Sequence, residues 1–361
     1  MQKKIKNILI INPFGIGDVL FTAPLIDSLG SLPDGPRIGF LCNRRTEPLI
    51  RANPAIEWVF VYEKDELRAL RKKSLISYIK KIFSMINDIR GNGFDAAIDL
   101  SLNREYGFLC WLAGIKERVG FNYKNRGTFL TKKIDISGYH DRHIVEYYLG
   151  LLRFIGVRPQ EKIIRLDIPG AAKEWANNFL KAARIKEGEL IIGIAPAGGA
   201  SWGSQAPAKH WSSEGFAVVA DNLIKKLGAK VVILGSVSEA GVCEKMVKSM
   251  KNPAILACGK TSVLESAALI SSCALVIAND GGPLHMAVAV GVRTVGIFGP
   301  VDERVYGQYP AGERHKVVKN DIICRPCYRN FKLKECVDRK CLDGISTEGV
   351  VKAAEEALAA G

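Results

Sequence analysis

The chain has 361 residues, and because a chain longer than about 300 residues rarely builds one hydrophobic core, we expect two domains. Its composition, 48% hydrophobic and 24% charged, is ordinary for a soluble globular protein, and no apolar run reaches the roughly 20 residues that span a bilayer. The net charge of +14 favours an anionic partner, which could be a nucleotide, a nucleic acid or an acidic membrane surface.

The first predicted elements are a strand, a glycine turn and a helix. A buried strand is predicted at 8–11, and an amphipathic helix follows the turn that contains Gly15, Gly17 and Asp18. The turn lacks the third glycine of the dinucleotide fingerprint, so a nicotinamide cofactor site is not supported. Asp18 is expected at the carboxyl end of the strand, the edge where such sheets bind ligands, and a helix N-cap is its alternative role.

Strands and helices alternate along the rest of the chain. In the first half, strands are predicted at 37–41, 58–61, 96–100 and 118–120, with helices at 75–89 and 102–114. In the second half, strands are predicted at 189–195, 231–234, 254–256, 275–278 and 294–298, with a closing helix at 346–360. This alternation predicts an α/β protein with parallel sheets covered by helices. Because Ile168-Pro169-Gly170 interrupts the pattern, we expect domains at 1–168 and 169–361.

A basic segment lies at 68–81. Six of its residues are lysine or arginine, and apolar residues at 75, 76, 79, 82 and 83 accompany them. The pattern predicts a basic amphipathic helix, which could lie on an anionic membrane. A solvated helix face is the alternative interpretation, because charged helix faces are common.

Two glycines follow an apolar run in the stretch Asn279-Asp280-Gly281-Gly282-Pro283-Leu284-His285. The pattern predicts a strand, a tight turn and a helix, with Asp280 at the strand end. Gly281 and Gly282 would let the backbone approach a ligand closely, and the helix N-terminus would offer unpaired N–H groups to a phosphate. The alternative is that Asp280 caps the helix and the glycines only turn the chain.

Two further positions in the second half could contact an anion or a sugar. A loop of small residues, including Ala197 and Gly198, follows the strand at 189–195. Lys209 stands just before the next helix, where it could reach an anion over this loop, and an exposed lysine is the alternative. Glu239 closely follows a strand and could accept hydrogen bonds from a ribose, or it is an ordinary acid in a first helical turn.

Nine cysteines are present, and five of them lie in apolar patterns typical of reduced core residues. Because these cysteines are expected to be reduced and a cleaved signal peptide is not expected, we predict a cytoplasmic protein. The other four form the spacing Cys324-x2-Cys327-x8-Cys336-x4-Cys341, which we call the Cys-rich segment (324–341). Four thiolates could bind a zinc ion that stabilises the fold and takes no part in catalysis. Disulfides or free thiols are the alternatives.

Three motifs together resemble one protein family. Residues 8–24 contain Gly17-Asp18-Val19 and Thr22-x-Pro24, residues 207–211 read Pro-Ala-Lys-His-Trp, and residues 279–285 precede a Phe-Gly-Pro at 298–300. In order and separation they are similar to the signatures of glycosyltransferase family 9, the ADP-heptose:lipopolysaccharide heptosyltransferases, over nearly the whole chain. Gly281 stands where the family usually has Ser or Thr, and His210 and Ser212 stand where it commonly has Arg and Pro.

The resemblance implies a GT-B fold, in which two Rossmann-like domains with parallel sheets face each other across a cleft. It implies an inverting, metal-independent sugar transfer, with the acceptor bound by the N-terminal domain and the nucleotide-sugar donor by the C-terminal domain. Asp18 matches the family's general base, and Lys209 would stabilise the departing diphosphate. The residues expected to bind the donor are Gly17, Ala197, Gly198, Lys209, Glu239, Asp280, Gly281, Gly282 and His285.

The expected donor is ADP-heptose, and the expected acceptor is a lipid-linked glycan such as the lipopolysaccharide core, with peripheral contact at an anionic inner-membrane surface. No cofactor is expected for catalysis. No nucleic-acid partner is expected, because no nucleic-acid-binding motif accompanies the positive charge. The alternatives are a transferase of this fold with another nucleotide-sugar donor, a protein that binds nucleotide sugar without catalysis, and a nucleic-acid-binding protein.

Overall fold

The computed structural model describes residues 5–160, 162–336 and 338–360. These residues contain two parallel six-stranded sheets and one two-stranded antiparallel ribbon. The chain divides into two compact units: unit 1 is Met1–Tyr139 with Ile144–Lys162, and unit 2 is His140–His143 with Ile163–Gly361. The domain boundary after residue 168 stays a prediction. No helix in the described ranges is both long and apolar enough to cross a membrane.

Unit 1 is built around a central buried strand. Its elements are β1 (Asn7–Ile11), α1 (Ile16–Leu20), α2 (Ala23–Gly30), β2 (Arg37–Cys42), α3 (Glu47–Arg51), β3 (Ile56–Val61), α4 (Lys64–Lys73), α5 (Leu75–Gly91), β4 (Ala96–Asp99), α6 (Arg104–Leu112), β5 (Glu117–Tyr123), β6 (Lys132–Ile136) and α7 (Ile144–Gly150). The strand order is β3-β2-β1-β4-β5-β6. The Ile-Leu-Ile-Ile run of β1 is completely buried, as expected for a strand covered by helices on both faces.

Unit 2 repeats this layout. Its elements are α8 (Gly170–Ala182), β7 (Ile191–Ala195), α9 (Ser213–Leu227), β8 (Lys230–Ile233), α10 (Ala240–Ser249), β9 (Ile255–Leu256), α11 (Val263–Ser271), β10 (Leu275–Asn279), α12 (Gly282–Ala289), β11 (Arg293–Phe298), α13 (Glu303–Tyr306), β12 (His315–Lys319), β13 (Tyr328–Arg329), β14 (Lys332–Leu333), α14 (Lys340–Asp343) and α15 (Thr347–Ala359). The strand order is β12-β11-β10-β7-β8-β9. In both sheets the first strand therefore lies beside the fourth.

The predicted α/β class with parallel sheets is confirmed. Two strands of the six-stranded sheets, β6 and β12, were missed by the sequence patterns, as was the ribbon of β13 and β14. β6 and β12 lie at sheet edges, and all of their residues are half-buried or exposed. An edge strand pairs on one side only, so it needs fewer apolar residues and carries lysines instead. This explains why an apolar run did not reveal either strand.

The single basic helix predicted at 68–81 is wrong. Helix α4 ends at Lys73, and α5 begins at Leu75, because Ser74 has extended dihedral angles (φ −159°, ψ 112°). The Ser74 hydroxyl accepts a hydrogen bond from the backbone N–H of Ser77 at 3.2 Å. Serine satisfies a free N–H group at a helix start better than it fits a helix interior, so the basic segment is divided between two helices.

Candidate functional site

The predicted site residues cluster at the carboxyl ends of two strand pairs. Because the first strand neighbours the fourth, connections leave β1 and β4, and likewise β7 and β10, toward opposite faces of their sheets. Such switch points are where open α/β sheets bind ligands. Asp18 follows β1 in unit 1, whereas Gly198 follows β7 and Asp280 follows β10 in unit 2.

Asn279 ties together the loops of the unit 2 site. It is the last residue of β10 and only 1% exposed. Its side-chain Nδ2 donates to the carbonyls of Pro196 (2.8 Å) and Ala197 (3.3 Å), and its Oδ1 accepts from the backbone N–H of Trp211 (2.9 Å). No separate role for Asn279 was predicted from the sequence. An amide at the end of a fully apolar strand was the available signal, because a buried amide must find partners.

The glycines of the unit 2 site bring two loops into contact. Gly198 has φ +118° and Gly199 has φ +73°, in the left-handed region that glycine adopts without strain. A Cβ atom on Gly281 would lie 3.0 Å from the backbone nitrogen of Gly199. The missing side chain at 281 therefore permits the close approach of these loops. Gly281 is also the N-cap of α12, so the alternative of an N-cap at Asp280 is wrong.

Lys209 and Asp280 form a buried ion pair between the lysine ammonium and carboxylate Oδ2. Lys209 is 7% exposed, so the alternative of an exposed lysine is wrong. Its Nζ also lies 4.4 Å from the centroid of the Trp202 ring. His285 Nε2 lies 3.6 Å from the other carboxylate oxygen of Asp280. The structure thus brings together Lys209, Asp280 and His285, which the sequence predicted as one site.

The electrostatics of the pair favour the charged form of the Asp280 carboxylate. Burial alone raises the pKa of Asp280, but the positive charge of Lys209 and the neighbouring His285 outweigh it, and the pKa is lowered. The ammonium group is therefore held by a charged partner, beside the start of α12. Backbone N–H groups and a positive partial charge also concentrate at a helix N-terminus. This arrangement suits a phosphate group.

His210 and Glu239 have partners within their own loops. His210 Nε2 lies 2.7 Å from the carbonyl oxygen of Gly198, so it fixes the glycine loop after β7. Glu239 Oε2 accepts from the backbone N–H (2.7 Å) and hydroxyl (2.8 Å) of Ser236 in a capping box. One carboxylate oxygen of Glu239 is thus used by the helix start, and its ribose contact stays a prediction.

In unit 1, Asp18 lies within a helix. It is the third residue of α1, and Gly15 is the N-cap, so Asp18 lies beyond the strand end where it was expected and does not cap the helix. Asn12 Nδ2 donates to the carbonyl of Asp18 at 2.9 Å, and Asn43 Nδ2 donates to the carbonyl of Phe14 at 2.6 Å. These two asparagines hold the turn before α1 and the first part of this helix, which contains Gly17 and Asp18. Neither was predicted.

Asp18 and Asp99 act on a common neighbour, Tyr139. Burial raises the pKa of Tyr139 well above its usual value, and the charges of Asp18 and Asp99 add to this. Asp99 ends β4, is 4% exposed, and accepts a hydrogen bond from the backbone N–H of Ser101 at 2.9 Å. Burial raises the pKa of Asp99 to about 6. Asp99 was not among the predicted site residues, although an acid at the end of an apolar strand is a signal that the sequence contains.

The Cys-rich segment contains free thiols. Cys324 and Cys336 are exposed, Cys327 is half-buried and Cys341 is buried. Burial raises the pKa of Cys327 and Cys341, and neighbouring thiols of the segment contribute, so the cysteines are within electrostatic reach of one another. Among residues 5–160, 162–336 and 338–360, no group of three or more His, Cys, Asp or Glu could hold a metal ion as placed. The zinc site stays a prediction.

Comparison with known proteins supports one family. The model of "Glycosyltransferase family 9 (heptosyltransferase)" matches residues 82–337. The chain is 32% identical over 228 residues to lipooligosaccharide heptosyltransferase 2 of Campylobacter jejuni, covering 62% of this chain and 66% of that protein. It is 24% identical over 353 residues to lipopolysaccharide heptosyltransferase 3 of Escherichia coli K12, covering 95% of both. The chain thus spans just under two thirds of the Campylobacter relative and nearly all of the Escherichia one.

Solved structures show the same fold. A family 9 glycosyltransferase from Veillonella parvula matches with a TM-score of 0.84 and 26% identity, over 100% of this chain and 99% of that one. An ADP-heptose lipopolysaccharide heptosyltransferase II from E. coli matches with a TM-score of 0.74 and 20% identity, over 98% of both chains. These likenesses, with the two parallel six-stranded sheets, confirm the predicted GT-B fold class.

Asp99→Asn is expected to alter the pH dependence of stability. Because burial raises the pKa of Asp99 from 3.8 to about 6, the folded protein binds this proton more tightly than the unfolded chain does. The contribution of Asp99 to stability should therefore fall as the pH rises from about 4 to about 6, by about 3 kcal/mol. Asparagine does not titrate, so the free energy of unfolding of the variant should increase relative to that of the parent over the same pH range. Urea titrations at several pH values measure the difference.

The matched control is Asp65→Asn, since the Asp65 side chain is 86% exposed. It should leave the pH dependence unchanged. A parent and an Asp99→Asn variant whose unfolding free energies differ by the same amount at acidic and neutral pH would contradict the expectation.

Proposed function

Since this chain belongs to glycosyltransferase family 9, whose model matches more than half of its length, we propose that it transfers a heptose from a nucleoside diphosphate donor to a glycan acceptor of the lipopolysaccharide-core type. The observation that carries the proposal is the buried Lys209–Asp280 pair at the start of α12. A fixed ammonium group beside free backbone N–H groups is suited to the charge that develops on a departing diphosphate.

The proposed donor site lies at the carboxyl edge of the unit 2 sheet. Lys209 and the backbone N–H groups of Gly281 and Gly282 would bind the diphosphate, with Ala197 and Gly198 forming the adjoining wall. His285 and Asp280 would hold the lysine in place. ADP-heptose is the proposed donor: a structure of E. coli heptosyltransferase WaaC, which shares this fold at 16% identity, is described with ADP-2-deoxy-2-fluoro heptose.

The proposed transfer is an inverting displacement without a metal ion. An acceptor hydroxyl oxygen forms a bond to the anomeric carbon while the bond from that carbon to the diphosphate oxygen breaks. The hydroxyl proton passes to the Asp18 carboxylate, which acts as general base. The electron pair of the broken bond stays on the diphosphate, where Lys209 and the glycine N–H groups stabilise it. No residue forms a covalent intermediate in this scheme.

A structural zinc ion at Cys324, Cys327, Cys336 and Cys341 is proposed as a separate feature. It would have no part in the transfer, and the four thiols as described do not by themselves form a ligand set. Metal analysis of the purified protein tests it, and zinc well below one equivalent per chain would contradict it.

We also propose that unit 1 binds the anionic inner face of the cytoplasmic membrane, where a lipid-linked acceptor would lie. Four large apolar side chains of α5 are more than half exposed: Leu75 (58%), Ile76 (69%), Ile79 (54%) and Phe83 (60%). Exposed lysines stand beside them at 72, 73, 80 and 81. On the neighbouring α6, Phe108 (40%) and Trp111 (52%) are stacked and exposed. Apolar side chains and Lys80 and Lys81 on α5, with Lys72 and Lys73 at the end of α4, suit an anionic membrane surface.

Asp18→Asn should abolish most of the transfer and leave donor binding intact. Asparagine keeps the shape of the side chain but cannot accept the hydroxyl proton, so turnover should fall about 100-fold to 10,000-fold. Transfer from ADP-heptose to heptose-deficient lipopolysaccharide gives turnover, and calorimetry gives the affinity for ADP. The exposed Asp65→Asn serves as control, and transfer by the Asp18 variant at the parent rate would rule out the base assignment.

Lys209→Gln should lower both turnover and ADP affinity. The glutamine amide can still donate to Asp280, so the buried carboxylate keeps a partner, but the positive charge is lost. Loss of one such stabilising group typically lowers turnover about 100-fold. Lys245→Gln is the matched control, because Lys245 forms an exposed ion pair with Glu214 at 2.9 Å. Kinetics of the Lys209 variant equal to those of the control would remove Lys209 from the site.

The double variant Ile76→Ser, Phe83→Ser should weaken membrane binding. Loss of two exposed apolar side chains removes buried area at the interface, worth about 1.5 to 3 kcal/mol for each side chain that fully buries. Cosedimentation with vesicles of phosphatidylglycerol and phosphatidylcholine measures it, and binding should also weaken with salt. Exchange of Lys225 and Lys226 of α9 in unit 2 for glutamate is the control, and this variant should bind the vesicles like the parent. Equal binding by the parent and the serine variant would contradict the proposed surface.

A further inference from the structure

Two residues of the Cys-rich segment contact the surroundings of Lys209. The Tyr328 ring, in the short strand β13, lies 4.6 Å from the Trp202 ring between centroids. Trp202 in turn presents its ring to the Lys209 ammonium at 4.4 Å. An aromatic ring beside an ammonium group restricts where that group can lie and stabilises its charge. Tyr328 is therefore one contact away from the proposed catalytic lysine.

Arg339 holds the backbone on both sides of Lys209. Its Nη2 donates to the carbonyl of His210 at 2.6 Å, and its Nη1 donates to the carbonyl of Pro207 at 3.4 Å. His210 in turn contacts the Gly198 carbonyl at 2.7 Å. One guanidinium group thus holds the backbone before and after Lys209, and His210 in turn contacts the glycines that follow β7. The planar fork of arginine can reach two carbonyls at once, which a lysine ammonium does less well.

The loop that carries Lys209 depends on such outside contacts. Residues Ala200–Lys209 form 3-10 turns that are interrupted at Gly203, where the dihedral angles are non-helical (φ 56°, ψ −127°). 3-10 turns have poorer hydrogen-bond geometry than an α-helix and occur in short pieces. A loop of this kind does not fix a long side chain by itself. Besides the ion pair with Asp280, which holds the Lys209 ammonium, the Tyr328 and Arg339 contacts restrain the loop itself.

The Cys-rich segment is itself firmly attached to the unit 2 sheet. Arg325 donates from Nε to the carbonyl of Gly299 (2.6 Å) and from Nη2 to the carboxylate of Glu303 (3.0 Å). The backbone N–H groups of Cys327 and Tyr328 both donate to the carbonyl of Pro300, at 3.1 Å and 3.0 Å. These bonds follow directly after β11. The segment therefore links the end of that strand to the Lys209 loop.

We propose that Tyr328 and Arg339 are positioning residues for Lys209, so that the Cys-rich segment is part of the donor site and more than a staple of the fold. The effect of these two residues on catalysis rests on the proposed function, whereas their effect on the position of Lys209 does not. Removal of either contact should let the Lys209 side chain leave its buried position. A misplacement of about 1 Å can lower turnover by up to about 100-fold.

The direct test is the chemical labelling of Lys209. The parent and its variants are acetylated briefly with an amine-reactive ester, and the extent at each lysine is read by peptide mass spectrometry. Tyr328→Ala and Arg339→Ala should each raise the labelling of Lys209 about fivefold to tenfold, because one lost contact shifts a local equilibrium by about that factor. Tyr328→Phe keeps the ring and should restore protection. Arg329→Ala, in the same segment but exposed and bonded only locally, should label like the parent.

Unchanged Lys209 labelling in both alanine variants overturns the inference. A variant that loses its cooperative thermal transition is replaced by Arg339→Lys, which keeps the charge and loses the fork. Turnover and ADP affinity are measured on the same samples. If the labelling rises as expected but the parent neither binds ADP nor transfers heptose, the positioning stands and the proposed function fails. If the parent is active, and the alanine substitutions change neither the labelling of Lys209 nor the turnover, the proposed function stands and the positioning fails.

Discussion

The unit 2 site depends on the buried ion pair between Lys209 and Asp280. A single charge removed from water costs several kcal/mol, and only a well-placed partner offsets that cost. Each residue of the pair therefore requires the other, and the two loops that carry them must stay together. Asn279 at the end of β10 and the missing side chain at Gly281 let the loops meet without steric conflict. The Lys209 ammonium is thereby fixed beside the start of α12, with its charge balanced by the Asp280 carboxylate.

The two units place their sites at equivalent positions because their sheets share one strand order. In each, the first strand lies beside the fourth, and the loops after them leave a crevice at the carboxyl edge. In unit 1, Asp18 follows β1 and Asp99 ends β4; in unit 2, the Lys209 loop follows β7 and the Asp280–Gly282 turn follows β10. The same topology thus carries carboxyl groups in unit 1 and an ion pair beside a helix N-terminus in unit 2.

Departures from the family pattern have local explanations. His210 stands where an arginine is common, and its ring binds the Gly198 carbonyl, so it stabilises the glycine loop. Ser212, in place of a proline, caps α9 by accepting a hydrogen bond from the backbone N–H of Gly215 at 2.8 Å. Gly281 avoids a contact that any side chain would make with Gly199. Each substitution preserves the loops around Lys209, although the chemical groups differ.

Apolar periodicity and short motifs were enough to predict the α/β class, most strands, the glycine loops and the family. They also indicated Lys209, Asp280 and His285 as site residues, though not the pairing of the first two. That pairing became visible only in the folded chain, as did the hydrogen bonds of Asn279, the burial of Asp99, and the contacts of Tyr328 and Arg339 with the Lys209 loop. Those features join residues far apart in the chain, and no local pattern records which distant side chains pack together. The same holds for edge strands β6 and β12, whose pairing comes from a neighbouring strand and not from their own composition.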